Sequence, residues 1–440
     1  VTRSSPRNSR HTSYLGAAFL ALALPCTAQS WEETVSALSA EVTPSVVEWR
    51  HHLHANPELG NREFKTAEYI ATHLRGLALD EVITGVAHTG VVGILRGGKP
   101  GPVVALRADM DALPVTEQTG LPFASTVTTE WRGKETGVMH ACGHDAHMAI
   151  LMGVAEVLAR MREEIPGTVK FIFQPAEEGP PPGEEGGAHL MIKEGVLAGD
   201  YAPGAIFGLH VFPAPAGTIM YKPEGMLAAA DGLGIHVKGR QAHGSTPWAG
   251  IDPIAISGQI IVALQNIVSR QIDITQAPAV VTIGSIEGGN RGNIIPAEVT
   301  MTGTIRTLDP DMRKDVHARV RKTVTSIAEA WGADIEVTID EGYPVTYNDP
   351  ALTARMSDVL ARVSGGRAMV IKPILGAEDF SFYANQIPGL FIGLGVAEDG
   401  KAPGESASNH SPFFYVNDKA MPVGVKALTS LALTWLHDAT

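Results

Sequence analysis

The sequence predicts an α/β protein: a mostly parallel sheet covered by helices, with a ferredoxin-like βαββαβ unit inserted into it. Short apolar runs recur at 90–95, 102–107, 168–174, 205–210 and 389–395, and helical patterns alternate with them, notably at 147–161 and 350–363. Strand alternating with helix implies parallel neighbours whose two faces are both covered. The middle of the chain breaks that rhythm. A strand (234–239), an apolar helix (252–270), two strands (280–286 and 298–307), a helix (310–331) and a last strand (335–339) follow in order, which is a complete βαββαβ unit.

Taken in order, residues 1–28 carry Arg3, Arg7 and Arg10, an apolar run over 14–24, and Cys26-Thr27-Ala28, the layout of a secretory signal. The apolar run is shorter than the roughly 20 residues that span a bilayer, so the expectation is export to the periplasm or medium with no membrane anchor after cleavage. From 42 to 76 the pattern is helical, broken at Asn56-Pro57. The tract His51-His52-Leu53-His54 lies inside it and is read as helix surface and packing rather than as a metal tract. The expected units are 29–226 and 341–440 for the larger domain and 227–340 for the insertion. At 440 residues and 44% hydrophobic content, the chain is long enough for two cores. A formal charge of −13 argues against a nucleic-acid partner. Once Cys26 leaves with the signal, Cys142 is the single thiol, an unusual state for an exported protein, where disulfides are the common use of cysteine.

The densest chemistry is Met139-His140-Ala141-Cys142-Gly143-His144-Asp145-Ala146-His147, just before a helix. Cys142 and His144 flank one glycine and can turn toward a common point, and thiolate with imidazole suits zinc-like metals. By itself the segment is equally a buried structural cysteine beside a capping histidine. The strand 168–174 runs into Pro175-Ala176-Glu177-Glu178-Gly179, placing two adjacent carboxylates at the carboxyl end of a sheet strand, where ligands of α/β sheets gather. One of them can hold metal while the other carries a proton. His210 ends another strand, and His410 lies in Asn409-His410-Ser411-Pro412 near the C-terminus. A lone histidine at a strand end is usually packing; two, with the cysteine, the histidine and the paired glutamates, point to a metal site.

The strings RADMDALP (107–114), MHACGHDAHMA (139–149), QPAEEG (174–179), HGSTP (243–247), GAEDFSFY (376–383) and NHSPFF (409–414) resemble, in the same order and across essentially the whole mature chain, the aminoacylase and hippurate hydrolase group of dinuclear metallopeptidases. That group includes plant hydrolases of indoleacetyl-amino acids and bacterial carboxypeptidases. The resemblance implies a catalytic domain with a smaller lid, a homodimer joined through the lids, and two divalent ions per subunit (zinc, manganese or cobalt). It implies Cys142, His144, Glu178, His210 and His410 as metal ligands, with Cys142 bridging, and Glu177 as general base. Asp109 and Asp111 stand where other branches have a ligand histidine and its aspartate partner, and are expected to support the ligands. His243 on the lid is expected to stabilise the oxyanion, and Asn293 and Arg306 to contact substrate. Plainer readings of these last two are turn chemistry before Ile294 and a surface strand residue. Where relatives have Gly-Ser-Glu-Asp-Phe, this chain has Gly376-Ala377-Glu378-Asp379-Phe380.

The expected activity is hydrolysis of the amide bond of N-acyl amino acids or similar small amides by metal-activated water and a glutamate base. The rivals are a dipeptidase or carboxypeptidase of the same fold and a non-catalytic periplasmic binding protein. The last would be marked by loss of Glu177 or of a ligand, and none is missing; a group to hold a free α-amine is not identifiable.

Overall fold

The computed structural model describes residues 1–5, 30–401 and 404–439. Most of the expected signal segment therefore lies outside the described residues.

The large sheet has eight strands in the order Glu81–Val86, Gly90–Arg96, Pro166–Gln174, Lys99–Asp109, Ala205–Phe212, Gly389–Gly395, Ile219–Tyr221 and Ala368–Val370. Its four central strands, Pro166–Gln174 through Gly389–Gly395 in that order, are mutually parallel. The flanking pairs are mixed: the first two strands join antiparallel, and Ile219–Tyr221 runs antiparallel to Gly389–Gly395. The sequence shows the run at 90–95 but misses the other flanking strands for a physical reason. Glu81–Val86 is largely exposed and shows no apolar run, and the two outer strands have three residues each.

Alternate side chains of the central strands enter different cores, as a period of two requires. Val91, Leu95, Val104, Leu106, Val169 and Phe171 face one core, with the helices Trp31–Ala55, His144–Arg160 and Met421–Asp438. Val92, Ile94, Ala105, Ile172, Ile206 and Phe391 face the other, with Met226, Phe380 and Tyr383. Burial on both faces explains why these strands read as unbroken apolar runs.

The inserted sheet has the order Ala279–Glu287, Glu298–Thr307, Ala229–Lys238, Asp334–Glu341, all antiparallel, with helices Pro253–Asn266 and Pro310–Trp331. This is the expected ferredoxin-like order. Pro310–Trp331 shows how the sequence sets an element. Asp309 caps it by accepting from the Asp311 and Met312 N–H groups, Pro310 opens it, and Gly332 ends it at φ 69°. Val316, Val320, Val324 and Ala328, four apart, form its buried stripe. Each valine contributes about 1.5–3 kcal/mol of burial, so a buried charge such as Val320→Asp would break this packing. The helix expected over 252–270 is α-helical only to Asn266 and continues as a π turn. No helix among the described residues is long and apolar enough to cross a membrane.

The histidine tract divides as a helix face should. His52 stacks on Tyr69 and His51 on Phe123, while His54 is buried between Asp145 (2.9 Å) and Glu117 (3.1 Å). Burial opposes charge on His54, but the two carboxylates outweigh it and raise its pKa to about 9. The folded value lies above the ordinary 6.5, so this stabilisation is complete below about pH 6.5 and is lost as pH rises through 9. Between pH 6 and 10 the stability gap between wild type and His54→Gln is expected to shrink by about 3 kcal/mol, read from denaturant unfolding at each pH. A gap independent of pH would contradict the charged pairing.

Candidate metal centre

The carboxyl ends of the parallel strands meet at one place. Asp109 lies opposite Gln174, Arg107 opposite Gly208, and His210 opposite Gly393. The turn before helix His144–Arg160 reaches the same end, and Gly143 makes this possible. It sits at φ 95°, and a Cβ there would come within 2.2 Å of a Val211 methyl, so only glycine lets Cys142 and His144 pack this closely against the strand. The C-terminal loop closes the group. The His410 N–H donates to the Ala141 carbonyl at 2.8 Å, and Asn409 Nδ2 donates to the carbonyls of Cys142 and Val211, both at 3.1 Å.

Cys142, His144, Glu177, Glu178, His210 and His410, drawn from four segments of the chain, thus form one cluster. Cys142, His144 and His210 offer donor atoms within 4.8 Å of one another, as do Cys142, Glu178 and His410; His144, Glu177 and Glu178 form a third set. Cys142 is common to the first two. Its Sγ lies 3.3 Å from His210 Nε2 and 3.2 Å from His410 Nε2, and His410 Nε2 is 2.9 Å from Glu178 Oε1.

Donor chemistry and electrostatics both fit divalent cations. His144 Nε2 is buried without a hydrogen-bond partner and stands 4.0 Å from Glu177 Oε2; a buried nitrogen left so is costly unless something occupies it. His210 directs Nδ1 to the Val211 carbonyl at 2.8 Å, which leaves the Nε2 lone pair toward Cys142. Burial, with the neighbouring His147, holds His210 well below the ordinary histidine range and so neutral. His144 is the reverse. Burial opposes its charge, but Asp109, Asp111 and Glu178 push its pKa up to about 10. Burial, followed by Glu178 and Glu177, pushes the Cys142 thiol well up, so a cation must displace its proton to bind sulfur. Burial and then Glu378, Glu178, Asp379 and Asp109 hold the Glu177 carboxyl well above its usual range.

Asp109 and Asp111 lie directly behind the cluster. Asp109 accepts from Arg107 (2.7 Å) and from His147 Nδ1 (2.5 Å). His147 Nε2 in turn accepts the Val211 N–H at 2.9 Å, so both its nitrogens are used and it is not a spare ligand. Asp111 Oδ1 lies 3.3 Å from His144 Nδ1 and accepts the Glu177 N–H, while Oδ2 accepts the Glu178 N–H.

His243, Asn293 and Arg306 are elsewhere, on the inserted unit. His243 is exposed, and its Nδ1 accepts from the Ser245 N–H and hydroxyl. Asn293 is its neighbour, accepting the Gly244 N–H at 2.8 Å through its carbonyl. Arg306 is half-buried in the sheet opposite Ala230 and Val280. No described hydrogen bond joins any of the three to the Cys142 cluster.

Sequence reasoning assigned no role to Glu378 and Asp379, although GAEDF contains them. Arg107 Nη2 pairs with Asp379 at 2.7 Å and Glu378 at 3.0 Å, and the Asp379 N–H donates to Glu177 Oε1 at 3.3 Å. The signal was there in the two motif strings, but their apposition depends on the fold.

Residues 105–434 match the model of peptidase family M20/M25/M40. Thermostable carboxypeptidase 2 of Saccharolobus solfataricus is 41% identical over 397 residues, covering 89% of this chain and 96% of that protein. N-acetylcysteine deacetylase of Bacillus subtilis is 37% identical, covering 89% and 97%. The crystal structure of the Bacillus subtilis YXEP protein, a dinuclear metal-binding peptidase of the M20 family, superposes with a TM-score of 0.76 at 35% identity over 90% of this chain and 99% of that one. With its donor cluster at the strand ends and this similarity along nearly its whole described length, the chain belongs to peptidase family M20/M25/M40.

Proposed function

We propose that the protein hydrolyses the amide bond of N-acyl amino acids at a two-metal centre. The observation that carries this reading is Cys142, shared by two sets of donors with Glu177 beside them. Cys142, His144, Glu178, His210 and His410 would hold the ions, Cys142 belonging to both donor sets; a thiolate with imidazoles favours zinc, and the carboxylate also suits manganese or cobalt. Bound there, divalent ions would supply Lewis acidity to water and to the amide carbonyl. Glu177 takes the proton from the attacking water and delivers it to the leaving amine. Bound divalent charge would offset the burial and the carboxylate repulsion that raise its pKa. A His243 donor on a closing lid stabilises the oxyanion, and Asn293 and Arg306 contact the substrate, Arg306 as a partner for its carboxylate.

Relatives named for carboxypeptidase and for N-acetylcysteine deacetylase activity both support amide hydrolysis. Assay of the zinc-, manganese- or cobalt-loaded protein on N-acetyl, N-benzoyl and indoleacetyl amino acids beside free dipeptides separates the two classes. Acyl amino acids are expected to have kcat/KM at least about tenfold higher, some 1.4 kcal/mol in the transition state. Preference for dipeptides would overturn this assignment.

In this reading His243 acts from the partner of a homodimer joined through the inserted units. Helix Pro253–Asn266 carries no charged residue and exposes Ile254 and Val262, and the neighbouring edge strand Ala279–Glu287 exposes Ile286; such a face favours burial against a second copy. Mixing His243→Ala with Glu177→Gln chains under subunit exchange is expected to restore about a quarter of wild-type activity, because half the dimers would each contain one complete site. Confirmed exchange with no recovery would mean that His243 works within its own chain or not at all.

A further inference from the structure

The peptide that carries Glu177 and Glu178 is held from behind by its own backbone. Three successive N–H groups point at buried carboxylates from other segments. Ala176 N donates to Glu63 Oε1 at 2.9 Å, Glu177 N to Asp111 Oδ1 at 2.9 Å, and Glu178 N to Asp111 Oδ2 at 3.0 Å. Ala176 has φ 51°, a left-handed conformation that a non-glycine residue adopts at a cost and keeps only where its surroundings impose it. Glu63 is completely buried, and its second oxygen accepts the Thr89 hydroxyl at 2.6 Å.

Glu63 belongs to a strap, residues 58–63, that touches both sides of this arrangement. The Glu58 carbonyl accepts the Ala112 N–H at 2.8 Å, one residue beyond Asp111. Gly60 lies so close to Ala176 that a Cβ would stand 3.2 Å from its Cα. Asn61 Nδ2 donates to the Glu185 carbonyl at 3.0 Å, farther along the same loop.

We propose that Glu63 is a positioning residue: by fixing the Ala176 peptide in its left-handed turn, it sets the direction in which Glu177 and Glu178 leave the backbone. Asp111 grips the next two peptides and also faces His144, whereas Glu63 touches none of the candidate ligands and acts only through the turn. An acid buried behind a loop usually serves stability alone, and the two roles differ in what they move. Misdirecting Glu178 weakens metal binding and misdirecting Glu177 slows turnover, without a matching change in KM. Burial and the charge of Asp111 push the Glu63 carboxyl up, and a glutamine keeps, without charge, an oxygen that can accept the Ala176 N–H.

The test compares Glu63→Ala with Glu63→Gln in the full-length protein, using cobalt(II) as the probe. Glu63→Ala is expected to bind cobalt about 10- to 100-fold more weakly in competition with a chelator. At saturating cobalt its kcat on an N-acyl amino acid is expected to fall at least about tenfold with KM within about threefold. Glu63→Gln, which keeps an oxygen toward Ala176 N, is expected to stay within about threefold of wild type in both. A lower melting temperature with unchanged cobalt affinity and kcat would make Glu63 purely structural and overturn the proposal, as would a Gln variant as impaired as Ala. If Glu63→Ala does not fold, Thr89→Val carries the test. It frees one Glu63 oxygen from its anchor and is expected to lower cobalt affinity and kcat by about threefold; no change in either would overturn the proposal. The inference rests on the hydrolytic reading only for the kcat arm. If Glu177→Gln kept full turnover that reading would fail, while the cobalt arm would still judge Glu63.

Discussion

Glu177→Gln is expected to lower kcat by about a thousandfold while the protein keeps its fold and its metal. General acid–base catalysis by a positioned group contributes roughly 10²–10⁴ in rate, and Glu177 would serve twice, on the attacking water and on the leaving amine. The amide preserves shape. It still accepts the Asp379 N–H that reaches Glu177 Oε1, and the Glu177 main chain stays anchored by Asp111 at its N–H and by the Tyr343 hydroxyl, which donates to its carbonyl at 2.5 Å. What is lost is the ability to take a proton. Replacement also removes one of four carboxylates crowded around Arg107, namely Glu378, Asp109, Asp379 and Glu177, so stability should hold or rise slightly. Steady-state kinetics beside metal analysis decides the matter. Retention of more than about a tenth of the rate, a loss of less than ~1.4 kcal/mol in barrier, would remove Glu177 from the role of base.

Gly143→Ala is expected to cost both stability and metal, although it adds one methyl group. A left-handed conformation costs a non-glycine residue about 1–2 kcal/mol, and overpacking in a filled interior costs about 1–3 kcal/mol more. Here the new Cβ would come within 2.2 Å of the Val211 side chain. Relief requires moving either the Cys142–His144 turn or Val211, and Val211 adjoins His210 and donates its N–H to His147. Either movement separates donors drawn from different segments. The melting temperature of the metal-free variant should fall by several degrees, and zinc affinity should fall by at least about tenfold. An alanine variant that melts and binds zinc as the wild type does would show that the turn has slack the packing does not suggest.

The class of fold was legible because its signals are local. Apolar runs marked the strands buried on both faces, and the change of rhythm after residue 225 marked the βαββαβ unit, down to the proline-opened helix Pro310–Trp331. Strands without a hydrophobic run, such as Glu81–Val86, were not legible, and neither was the direction in which the flanks pair. At the candidate site, the motifs placed Cys142 and His144 just before a helix, the Glu177–Glu178 pair after a strand, His210 at the end of another and His410 in a late loop. Their approach to one another rests on strand register and on the left-handed turn at Gly143, which no spacing rule contains. Glu63 escaped notice because an acid just before a helix reads as an ordinary start signal; its task depends on Ala176, 113 residues away in sequence. His147 is in the motif, but only the Val211 N–H and Asp109 show that both its nitrogens are occupied.

The most direct test of the central claim is the number of zinc ions bound per chain, read by native mass spectrometry after chelation and titration with zinc. Because Cys142 touches both sets of donors, wild type is expected to bind two ions and Cys142→Ala at most one, with hydrolysis of N-acyl amino acids abolished in that variant. A wild-type chain that saturates at one ion, or a Cys142→Ala chain that holds two and still turns over, would contradict a centre built around this sulfur.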